Sequence, residues 1–73
     1  MRISARNCLK GRIVEVRKGA TTAHVRIDVV RAIVTSSITN EAVDELELAK
    51  GRMAYAVIKA SDVMIGVDDE TTP

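Results

Sequence analysis

Three short polar stretches punctuate an otherwise apolar chain of 73 residues: Ser4-Ala5-Arg6-Asn7, Ser36-Ser37-Ile38-Thr39 and Lys59-Ala60-Ser61. Each contains small hydroxyl side chains, and two of them carry a cation, Arg6 or Lys59. A tetrahedral oxyanion needs this mixture. Hydroxyl and backbone N–H groups satisfy its oxygens, one or two cations offset its charge, and small residues such as Ala5 and Ala60 let backbone amides approach. Serine and threonine are also ordinary residues at strand ends and helix caps, so residue type alone leaves both readings open. Catalysis has less footing. His24 and Cys8 belong to no cluster with metal-ligand spacing, the serines have no evident basic partner to activate them, and no glycine-rich phosphate loop precedes a helix. His24 reads as a surface or interface residue and Cys8 as a small packed side chain; no catalytic residue is expected.

The elements that must position these stretches follow from the pattern of apolar residues. Leu9 to Arg17, with β-branched Ile13, Val14 and Val16, favours a strand, and "RKGATT" supplies a turn around Gly19. The next run alternates: Ala23, Val25, Ile27 and Val29 fall on one face, and His24, Arg26, Asp28 and Val30 on the other. "AIVTSSIT" is a third extended run, entered through a turn near Val30 to Ala32 that lacks glycine. In "TNEAVDELELAKG" the pattern becomes helical, with Thr39 or Asn40 as cap, acids near the positive end, and Gly51 placed to close the helix. Ala42, Val43, Leu46 and Leu48 would form its buried stripe. Met53 to Val67 is apolar almost throughout, so both faces of its strands want burial, and one short helix cannot cover them. A second copy of the chain is the expected cover. Residues 68–73, "DDETTP", read as a flexible polar tail behind a domain of residues 1–67.

A single domain of this size buries only about 60% of the surface its unfolded chain exposes. The apolar fraction is 47%, but Tyr55 is the sole aromatic residue. The net charge of +1 conceals a polarity, because residues 1–31 carry eight cations and two acids, and residues 32–73 carry three cations and eight acids. That asymmetry suits either a basic face for an anion or attraction between the halves of neighbouring subunits. One cysteine forms no internal disulfide, and no run resembles a signal peptide or a membrane span, which predicts a cytoplasmic chain without membrane contact. The composite is all-β with one short helix: a small barrel of the oligonucleotide/oligosaccharide-binding (OB) type, with a swapped-hairpin dimer as the alternative.

The residues "ISARNCLKGRIVEV", "KGATTAHVRIDV", "TSSIT", "AVDELELAKG" and above all "AYAVIKASDVMI" resemble the molbindins, small proteins built from a single Mop domain. The resemblance implies a five-stranded OB-like barrel assembled as a hexamer, a trimer of dimers. It also implies molybdate, with tungstate as an alternative, held at subunit interfaces for intracellular molybdenum storage or homeostasis. Carried over by motif, the oxyanion donors would be Ser4, Ala5, Arg6, Asn7, Thr39, Lys59, Ala60 and Ser61, and a second site would draw on Lys18, Gly19, Ala20 and Thr21. No metal is ligated directly by side chains in this reading. One departure stands out: "DVVRAIVT" is shorter than the glycine-rich turn usual in the family. Two other functions fit a small barrel, nucleic-acid binding and a purely structural oligomerisation module. The first is weakened by the shortage of aromatic stacking platforms.

Overall fold

The computed structural model describes residues 1–68. Its elements, in chain order, are β1 (Asn7–Lys18), β2 (Thr22–Val29), β3 (Ala32–Thr39), α1 (Asn40–Glu45) and β4 (Met53–Ile58), followed by a 3-10 turn at Ala60–Asp62. The strands form one antiparallel sheet in the order β3-β2-β1-β4. The alternation in β2 is realised residue by residue: Ala23, Val25, Ile27 and Val29 are buried and the residues between them are exposed. With Ile13, Ala56 and Val43 of α1, they make the core.

The sheet curls, so that β2 and β4 touch although β1 lies between them. Two features of β1 permit this. Val14 is an extra residue in the ladder, between the pairs Ile13↔Ile27 and Glu15↔Arg26, and such a bulge bends and twists its strand. At Gly11 the backbone of β2 comes so close that a β-carbon would stand 2.4 Å from the Asp28 carbonyl oxygen. Gly11 is therefore a packing requirement.

Thr39 caps α1, its hydroxyl accepting the Ala42 N–H at 3.0 Å. The helix is shorter than the sequence suggested, and Gly51 does not close it. Leu48 N–H donates to the Val43 carbonyl at 3.0 Å and Glu47 N–H to that of Asp44 at 3.1 Å, a Schellman ending with Glu47 at φ 55°. Leu48 and Val43 supply its apolar contact in the core. Leu46, expected in the buried stripe, is instead exposed, because the chain turns out of the helix there; the Arg52 guanidinium donates to the Leu46 and Glu47 carbonyls. Gly51, at φ 94°, serves the turn into β4, where its N–H and the Arg52 carbonyl bond to Ile13. The glycine-free turn between β2 and β3 is a two-residue link, Val30 and Arg31, closed by Arg31 at φ 62°. That conformation costs a non-glycine residue about 1–2 kcal/mol.

Four strands are paired among the described residues, rather than the five of a closed barrel. Residues 63–67 join no ladder, and Met64, Ile65 and Val67 are each at least 85% exposed. Of the expected polar tail, only Asp68 falls within the described residues. None of the helices among those residues is long and apolar enough to cross a membrane.

Gly11→Ala should destabilise the chain by about 1–3 kcal/mol, since the new methyl group meets backbone. An unchanged urea midpoint would contradict the close approach. On the outer face, Glu15 accepts from Arg26 at 3.3 Å and Arg17 at 3.0 Å. The Arg26 hydrogen bond, followed by the field of Arg17, holds its carboxyl below the ordinary glutamate range. A depressed value means that the associated stability is present above that range and is lost as pH falls through the folded value. In Arg26→Ala the Glu15 titration followed by NMR should move upward; an unmoved midpoint would remove Arg26 as the cause.

Candidate functional site

The last residue pair of the β1–β4 ladder is Asn7↔Ile58. In an antiparallel pair, the chain entering β1 and the chain leaving β4 sit at the same end of the sheet. Ser4, Ala5 and Arg6 therefore meet Lys59, Ala60 and Ser61 in one cleft of about 560 Å³, which Ile3, Val57 and Asp62 also line. The 3-10 turn orients the second group: Asp62 N–H donates to the Lys59 carbonyl at 2.9 Å and Val63 N–H to that of Ala60 at 3.3 Å. The N–H groups of Ala60 and Ser61 lead that turn and have no carbonyl within it to receive them.

Charge completes the picture. Among the described residues the ion pairs are Arg17–Glu15, Lys18–Asp44 and Arg26–Glu15, and none includes Arg6 or Lys59. Two cations are thus brought together at one sheet end, and among the described residues no carboxylate is bonded to either. Like charges at close range repel, and an anion between them turns that repulsion into attraction.

The remaining site candidates lie elsewhere. Asn7 is half-buried beside the cleft, and its amide donates to the Ile58 carbonyl at 3.4 Å, bracing the ladder. Thr39 sits at the far end of the sheet, opposite Thr22 and capping α1. Lys18, Gly19, Ala20 and Thr21 form the turn at that same end, where much of the bonding capacity is already used. The Lys18 ammonium holds Asp44 at 2.6 Å, Gly19 N–H donates to the Thr22 carbonyl at 2.7 Å, and the Gly19 carbonyl accepts the Asn40 amide at 2.9 Å. Within one chain, neither Thr39 nor this turn reaches the Arg6 cleft.

His24 is exposed, opposite Arg17 and Ser37. Cys8 is exposed as well, not packed as its size suggested, because the strand alternation places it opposite Val57 on the outer face. No group of three metal-ligating side chains occurs among the described residues. Asp62, Ile3 and Val57 were not singled out by sequence reasoning; for Asp62 the available signal was its position directly after Ser61.

A curled antiparallel half-barrel with a cationic cleft at one end defines a small β module of the OB-like class. The TOBE domain family model matches residues 3–65, and the chain belongs to that family. A probable molybdenum-pterin-binding protein of Haemophilus influenzae is 46% identical over 69 residues, covering 93% of this chain and all of the relative. The structure of a molybdate-binding protein from Sporomusa ovata superimposes with a TM-score of 0.87 at 30% identity, over 92% of this chain and all of that one. The cytoplasmic molybdate-binding protein ModG, in a form with molybdate bound, superimposes with a TM-score of 0.88 at 45% identity, over 93% of this chain and 49% of its own. These matches bear out the molbindin resemblance and the OB-like fold class.

Removing the Thr39 hydroxyl separates its structural work from any contact with a guest. Thr39→Ala should lower stability by about 1 kcal/mol through loss of the cap, and Thr39→Ser should restore it. Equal denaturation midpoints for Thr39→Ala and the parent would contradict the capping role.

Proposed function

We propose that this chain binds molybdate, with tungstate as an alternative guest, and that it serves molybdenum storage or homeostasis in the cytoplasm by equilibrium binding, without turnover. The observation that carries the proposal is the meeting of Arg6 and Lys59 in one cleft with Ser4 and Ser61, neither cation paired with a carboxylate among the described residues. Guanidinium and ammonium offset the charge of the dianion. The hydroxyls of Ser4 and Ser61 and the amides of Ala5, Ala60 and Ser61 satisfy its oxygens. The molybdate-binding proteins of the same fold support this choice of guest.

The working form in this reading is a homo-oligomer, a hexamer built as a trimer of dimers, whose domain is residues 1–67 with 68–73 as tail. Its support is the apolar surface that one chain leaves uncovered: a concave groove of about 560 Å³ lined by residues such as Val34, Ile38, Met53 and Tyr55, and the exposed Met64, Ile65 and Val67. Apolar surface of that extent marks an interface. In the assembly, Thr39 and the Lys18–Thr21 turn reach an oxyanion only from another copy. Nucleic acid fits poorly, since Tyr55 is the sole aromatic platform and carries the Lys10 ammonium 5.9 Å from its ring centre.

Calorimetric titration with molybdate tests the reading. Heat of binding is expected from molybdate and not from a single-stranded oligonucleotide. Arg6→Ala and Lys59→Ala should each weaken binding by about 1.5–3 kcal/mol, the usual loss when one partner of a charge-assisted contact is removed. Parent-like binding by both variants would overturn the assignment.

A further inference from the structure

We infer that Asp62 is a specificity-determining residue of the Arg6–Lys59 cleft, the negative group that limits how tightly a proton-free oxyanion is held; this deepens the molybdate reading and rests on it. Asp62 lines the same cleft as Ser4, Arg6, Lys59 and Ser61. It is exposed, and its carboxylate bonds to neither cation. Its backbone N–H is occupied by the Lys59 carbonyl at 2.9 Å, so toward a guest in the cleft the residue offers only acceptor oxygens.

That acceptor-only character distinguishes guests by chemistry. Molybdate, tungstate and sulfate near neutral pH carry no proton, so every oxygen they present to Asp62 is repelled. Inorganic phosphate, largely the hydrogen-bearing dianion just above neutrality, can donate its proton to the carboxylate. Asp62 thus subtracts one unit from a cleft that holds two cations. It loosens the grip on proton-free dianions more than on phosphate, which favours reversible holding over permanent capture.

The test is calorimetry of the assembled protein with molybdate, sulfate and inorganic phosphate, comparing the parent, Asp62→Asn, and Asp68→Asn. Asp68→Asn removes the same charge outside the cleft. Asp62→Asn should tighten molybdate and sulfate binding about three- to tenfold, the effect of removing one unit charge several ångströms from a dianion in screened water. The phosphate-to-molybdate affinity ratio should fall, and Asp68→Asn should change little. Unchanged or weaker molybdate binding in Asp62→Asn overturns the inference, as does an equal gain in Asp68→Asn. The underlying reading fails separately, and visibly, if the parent itself takes up no molybdate.

Discussion

The register of β1 against β4 is the constraint on which the rest of the structure depends. Because Asn7 stands opposite Ile58, the segments just beyond that pair, Ser4 to Arg6 and Lys59 to Ser61, leave the sheet together. A slip of one residue would turn the buried face of β4, Ala54, Ala56 and Ile58, toward solvent, so packing of the core fixes the position of the cleft. Binding geometry and folding stability are in this sense the same property. Gly11 and the Val14 bulge bend β1 so that one sheet encloses its own core, while the Asn7 amide steadies the ladder where the cleft begins.

A sheet that curls without closing leaves work undone. The core of one chain consists of small aliphatic side chains, the largest fully buried ones being Ile13 and Val25. Core residues such as Ile13, Val25 and Ile27 line an open apolar groove, and beyond the 3-10 turn the chain presents Met64, Ile65 and Val67 to solvent. In the proposed assembly a second copy covers both, and the acidic half of one copy meets the basic half of another. That assembly also explains how Thr39 and the Lys18–Thr21 turn, at the wrong end of their own sheet, could still contribute to an oxyanion site.

Where local rules governed, the sequence was legible. The period of two in Ala23 to Val29, the turn at Gly19 and the Thr39 cap are decided by residues next to one another, and each is where the pattern placed it. The helix end was not legible, because glycine at position 51 was the obvious terminator and the chain instead closes on Glu47, held by Arg52 and the Val43–Leu48 contact. Those contacts span only five or six residues, but residue type does not mark them: a left-handed residue is expected at glycine, and Glu47 adopts it instead. Leu46 is exposed because the chain leaves the helix there, and Cys8 because strand alternation places it on the outer face. Of the site, the meeting of the "SARN" and "KAS" stretches came from the molbindin resemblance and is explained by register; Asp62 carries no signal of its own, because a carboxylate is not an oxyanion donor.

Native mass spectrometry with and without molybdate tests the central claim most directly, since it reads subunit number and bound anions in one spectrum. The account predicts a multi-subunit species, a hexamer, whose mass increases by whole molybdate units and which persists at higher collision energy when loaded. A lone chain that gains no mass at saturating molybdate would contradict it.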